Sequence, residues 1–84
     1  MKQIKLIITV DGQVLVSEIE EVLADIGQPD CKLVKPFVLG FERKLTPFMG
    51  AYTDQDTFMI SSDKILTLAD PNEKLLEQYR ELIE

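Results

Sequence analysis

Eighty-four residues make one small domain, near the lower size at which a single apolar core suffices for folding. An apolar content of 45% with 29% charged residues is that of a folded chain and argues against disorder. The net charge of −6, nine Lys and Arg against fifteen Asp and Glu, disfavours a broad nucleic-acid surface, which needs clustered cations.

One cysteine, Cys31, permits no internal disulfide and fits a reducing compartment. The opening MKQIKLIITVDG has an apolar run too short and too soon interrupted for a signal peptide, and no stretch approaches a membrane span. The expected location is the cytoplasm, with no membrane partner. A small unstapled domain rich in branched residues gains stability by association, so composition points to an oligomer.

In chain order, residues 2–10 alternate as a first strand, with Ile4, Leu6, Ile8 and Val10 on one face and Lys5 and Thr9 on the other. Asp11-Gly12 then signals a two-residue hairpin. Residues 13–22 read as a second strand whose apolar positions keep no strict period of two, as in a strand bent by a bulge around a small barrel. Helix competes over residues 17–26: Ile19, Val22, Leu23 and Ile26 have helical spacing, and Ser17 begins a capping box with Glu20.

Residues 27–30 form a turn, and a third strand covers residues 31–41. Pro36 inside it cannot donate to a ladder and marks an edge or a bulge. Residues 42–56 read as a long connection with one short extended piece around Leu45 to Met49. Two short strands follow, over residues 57–61 and 65–69, joined by the polar link Ser61, Ser62, Asp63 and Lys64, and both offer a free edge. The chain ends in an amphipathic helix over about residues 71–83. Asp70 suits the N-cap, Pro71 the first turn and Glu73 a capping box, while Leu75, Leu76, Tyr79, Leu82 and Ile83 form the apolar stripe.

Enzyme chemistry is not expected. The absence of histidine excludes triads, imidazole acid–base work and His-ligated metals, and Cys31 alone cannot build a thiolate zinc site. Glu18, Glu20 and Glu21, and the pair Asp54 and Asp56, lack the spacing of a calcium loop and read as solvated faces. No glycine pattern for phosphate is present, so no cofactor and no metal is predicted. The cations Lys32, Lys35, Arg43 and Lys44 alternate with apolar residues and read as an exposed strand face rather than a nucleic-acid patch.

Two stretches, Gly12 with Leu15, Ser17 and Ile19, and the unbroken run Phe58 to Leu68, resemble the two motifs of the Sm-like (LSm) superfamily, which includes the eukaryotic Sm proteins and bacterial Hfq. Gly12, Leu15, Ser17 and Ile19 occupy the places of the Gly, apolar, Gly and Leu positions of the first motif. Phe58-Met59-Ile60, Ser61-Ser62, Asp63-Lys64 and Ile65-Leu66-Thr67-Leu68 fall without a gap on the second. With VDGQVLVSEIEEV, CKLVKPFVL and the terminal helix, the chain is also similar to a phage-encoded, cyanophage-type branch. The resemblance implies a mainly β fold: one small, five-stranded, strongly bent barrel with a C-terminal α-helix. It also implies a homo-oligomeric ring of about five to seven subunits, closed through Phe58, Met59, Ile60, Ile65, Leu66 and Leu68.

The departures bear on function. Ser17 and Ser62 stand where the family has glycine, and Ser61 where it has the arginine that helps bind RNA. Asp30 stands for the family's loop aspartate, while its asparagine has no counterpart. The expectation is a ring-forming scaffold that binds protein partners, in the cytoplasm of an infected host cell if phage-encoded. The alternative is an RNA-binding ring that uses Lys32, Ser61, Ser62, Asp63 and Lys64 as weak substitutes.

Overall fold

The computed structural model describes residues 3–84, so Lys2, the first residue of the expected first strand, lies outside the described residues. The strands are β1 (Gln3–Thr9), β2 (Val14–Glu21), β3 (Cys31–Leu39), β4 (Leu45–Pro47), β5 (Thr57–Ile60) and β6 (Ile65–Ala69), followed by the helix α1 (Glu73–Ile83). The fold is mainly β, a single antiparallel sheet with one C-terminal helix. It has six strands where the sequence suggested five.

The sixth strand has a simple origin. β4 pairs with the end of β3 (Leu39 opposite Leu45, Phe37 opposite Pro47), and β5 pairs with its beginning (Val34 opposite Thr57, Cys31 opposite Ile60). The other edge of β3 is taken by β2. β4 and β5 are therefore two halves of one broken strand, and the order across the sheet is β4 and β5, then β3, β2, β1 and β6. The short extended piece expected within residues 42–56 is β4.

The break lies at Lys35 and Pro36. Lys35 has φ 53°, a conformation that side chains rarely adopt, and the β2–β3 register shifts opposite it, between Val16 and Glu18. The Lys35 N–H carries the β3–β5 ladder one residue further, to the Asp56 carbonyl at 2.6 Å, and the Pro36 carbonyl extends the β3–β4 ladder by accepting from Phe48 N–H at 2.9 Å. Both ends of the 48–56 loop are thus tied to the bulge that proline imposes on β3.

The β1–β2 connection differs from the expected two-residue turn. Thr9 N–H donates to the Gln13 carbonyl and Gly12 N–H to the Thr9 carbonyl, both at 3.0 Å, while Gly12 has φ 92°. This is a three-residue loop with glycine in the left-handed bulge position, a geometry that strains any other residue. Residues 17–21 are strand, with Ser17 buried, so the capping box of the competing helical reading is unused. The helical spacing runs out into a loop over residues 22–30.

The core has two layers, one on each face of the sheet. Ile7, Leu15, Ile19, Cys31 and Leu33 fill the inner face, joined by Val38, Phe48, Ile60 and Ile65. Val16, Leu45 and Tyr79 form the other, with Ile4, Leu6, Phe37 and Leu39 packed against Leu75 and Ile83 of α1. β1 is consequently apolar on both faces. The side expected to carry Lys5 and Thr9 also holds Ile7, and Ile7 and Thr9 are buried. The helix starts two residues later than expected: Asn72 is the N-cap, its side chain accepting from Leu75 N–H at 2.9 Å. Asp70 instead pairs with Lys5 at 2.6 Å.

Tyr79 ties α1 to β2 and β3. Its hydroxyl donates to the Lys35 carbonyl at 2.8 Å, lies 3.2 Å from the Val34 carbonyl, and accepts from Glu18 N–H at 3.2 Å. Ser17 Oγ shares its proton between the Glu18 and Val34 carbonyls, 2.8 and 3.1 Å away. Two buried hydroxyls thereby satisfy backbone groups that the bulge removes from the ladder. Phe37 meets the Tyr79 ring edge to face at 5.9 Å.

Candidate functional site

Two regions bear on function, a polar corner and an open seam. At the corner, the link between β5 and β6 is a single 3-10 turn, Ser62–Lys64, closed by Lys64 N–H on the Ser61 carbonyl at 3.0 Å. The loop joining β2 to β3 leans on this turn. The Asp30 carboxylate accepts from Ser62 N–H at 2.7 Å and from Ser62 Oγ at 2.8 Å. These bonds, the backbone N–H foremost, hold the Asp30 carboxyl below its ordinary pKa.

Of the five residues singled out for nucleic acid, Ser61, Ser62 and Asp63 come together here. They border a hollow of about 380 Å³ shared with Ala24, Ile26 and Asp30, and among the described residues no aromatic or cationic side chain lines it. Lys32 stands apart on β3, 3.5 Å from Glu20, with Met59 across the ladder. Lys64 turns the other way. Its carbonyl accepts from Val10 N–H at 2.9 Å, and it borders a separate hollow with Thr9 and Asp11. The corner is acidic, with Asp25, Asp30 and Asp63 around it.

The seam is the unclosed side of the sheet. Among the described residues β5 pairs only with β3 and β6 only with β1, so each strand has a free edge. Phe58 and Ile60 lie opposite the buried Leu33 and Cys31, hence on the inner face, and Phe58 stacks edge to face on Phe48 at 5.2 Å. Met59, opposite Lys32, points outward and is half exposed.

On β6, Leu68 lies opposite the buried Ile7 and therefore shares the inner face. Yet Leu66 is 68% and Leu68 48% exposed, because none of the described residues covers them fully. A groove of about 610 Å³ opens there between β6, Ile19, Cys31 and Ser62. Ile65, at the register shift of β6, packs into the inner core. Cys31 is buried in the wall of the groove, and burial, with the Asp30 and Glu21 carboxylates beside it, pushes its thiol pKa up.

Three features escaped the sequence reading. Leu23 and Ile26 are wholly exposed on the β2–β3 loop, and their helical spacing gave no hint of it. Tyr79 is more than a core residue, though only the bulge at Pro36 could have signalled its hydroxyl's task. A further hollow of about 380 Å³ lies between the 48–56 loop and the end of α1, with Phe37, Phe48, Phe58 and Leu82 beneath Lys35 and Asp56. Its size suits a small molecule, but rim charges of both signs select no ligand class.

No helix among the described residues is long and apolar enough to cross a membrane. No curated protein matches the chain. A family model does match it, over residues 2–84, and on that match the chain belongs to a family of unknown function (DUF6561).

Proposed function

We propose that this protein is a ring-forming scaffold of Sm-like build, in which β5 of one subunit pairs with β6 of the next. The observation that carries the reading is the pair of free edges at the two ends of one sheet, with apolar Met59, Leu66 and Leu68 exposed along them. Such edges are sticky unless paired. Because the two edges differ, the contact is heterologous, and a rotation that closes gives a ring of about five to seven subunits.

Two further observations support the Sm-like part of the reading. The two halves of the broken strand occupy one place in the sheet, which leaves five strand positions. Asp30, which the resemblance matches to the family's loop aspartate, bonds Ser62 in the stretch that resembles the second motif.

Protein partners are favoured over RNA because the corner is acidic and lacks a stacking platform. Base stacking contributes roughly 1–3 kcal/mol per base, and no ring lines the hollow. If the chain is phage-encoded, as the branch likeness implies, the scaffold acts in the cytoplasm of an infected host cell.

Light scattering on a sizing column is the test. The expected mass is about five to seven times the 9.6 kDa of the chain, independent of moderate dilution. A stable monomer overturns the ring. Fluorescence anisotropy with short U-rich and A-rich RNAs separates the alternative: a submicromolar Kd at physiological salt replaces the scaffold with an RNA-binding ring.

A further inference from the structure

We infer that the β2–β3 loop of each subunit docks Leu23 and Ile26 into the groove beside Leu66 and Leu68 of its neighbour. The inference rests on the ring proposed above and names a contact which that ring does not by itself require.

Leu23 and Ile26, at 105% and 104% exposure, are the most exposed large apolar side chains among the described residues. Isolated apolar residues on a surface need no explanation, but these two project from a loop that is held in place. Val22 N–H donates to the Asp30 carbonyl at 2.9 Å across the neck of the loop, and Gln28 N–H to the Asp25 carbonyl at 3.0 Å within it. The Asp30 carboxylate then fastens the neck to Ser62. A tethered loop presents its apolar side chains at little further cost in conformational entropy.

The tether also fixes where the loop lies relative to a neighbour. In an antiparallel β5–β6 contact, the Ile60 end of β5 lies beside the Ile65 end of the partner's β6. Ser62 is only two residues beyond Ile60. The loop it holds is therefore delivered to the junction, next to the start of the partner's β6. There the groove of about 610 Å³, rimmed by Lys5, Glu20 and Glu21, presents Leu66 and Leu68, side chains that no described residue of their own subunit fully covers. Knob and groove lie on different parts of one chain, so each subunit gives its loop to one neighbour and receives one from the other. A closed ring satisfies all of them.

Two measurements test this. Leu23→Cys and Leu66→Cys, each combined with Cys31→Ser, are unfolded, mixed, refolded together and oxidised mildly. A dimer band on a non-reducing gel, much stronger than either variant gives alone, is expected. A wild-type ring without that band overturns the docking and leaves the ring intact; a wild-type monomer overturns both.

The second variant, Leu23→Asp with Ile26→Asp, changes only exposed side chains. Its far-ultraviolet circular dichroism should match wild type, while the protein concentration at which the ring dissociates rises at least tenfold. An unchanged dissociation concentration overturns the inference.

Discussion

At the scale of single residues, Tyr79 is the most informative. Wholly buried, it spends its hydroxyl on Glu18 N–H and the Lys35 carbonyl, the groups a bulged ladder leaves over. Tyr79→Phe should cost about 1–3 kcal/mol, since it strands buried backbone groups, read as a lower urea midpoint with an unchanged slope. Burial also pushes the Tyr79 pKa up to about 12, from an ordinary value of 10.0. Between those two values the unfolded chain binds fewer protons than the folded one, so stability falls as pH rises. The contribution is complete below about pH 10 and lost as pH climbs toward 12. Wild type should lose stability across that window more steeply than Tyr79→Phe. Cys31, buried with its thiol pKa raised, should react with a disulfide reagent only slowly in the folded protein and promptly in denaturant. Rapid labelling of folded protein would show the groove wall to be open.

At the scale of elements, α1 is the lid of one core layer. Leu75, Tyr79 and Ile83 cover Val16, Leu45 and Phe37, and burial of such side chains contributes roughly 1.5–3 kcal/mol each. Domains of this kind are stable by only about 5–15 kcal/mol in all. A chain ending at Asp70 should therefore show no cooperative thermal transition by circular dichroism, and an unchanged transition would make the helix an appendage. Its start is set by Asn72, because Asp70 is drawn away to Lys5. The broken strand follows the same logic. Pro36 denies β3 one donor, Lys35 beside it takes a positive φ, and the residues that could have continued β4 are looped out before β5 resumes the edge.

At the scale of the molecule, the question is what covers the seam. Leu66 has no Cα partner on β1 and is mostly exposed, so Leu66→Lys should leave the subunit fold unchanged. A lysine on an edge strand is a common guard against edge pairing, and here it should turn the proposed ring into monomers of 9.6 kDa by light scattering. A Leu66→Lys ring of undiminished mass would move the subunit contact away from β6. The acidic charge of −6 acts at this scale too: it repels polyanions, and in the proposed ring it would add up over the subunits.

The sequence alone determined what local chemistry determines. Short branched runs bounded by turn residues read as strands, the stripe through Leu75, Tyr79 and Ile83 as a helix face, and Pro36 as an edge or a bulge, because each signal is carried within a few residues. Glycine at position 12 marked the hairpin correctly, but not its length, since two- and three-residue loops share that residue.

Only the tertiary structure decided the rest. Whether residues 17–21 became strand or helix depended on β1 and β3 lying on either side, and a capping box cannot outweigh two ladders. Tyr79 gained its hydrogen bonds, and Asp30 its place on Ser62, from strands and loops far apart in sequence. The scatter of Lys32 and Lys64 away from Ser61, Ser62 and Asp63 has the same cause. Residues adjacent along a chain part company when a strand alternates its faces and a turn reverses its direction, and only the folded sheet fixes which of them meet.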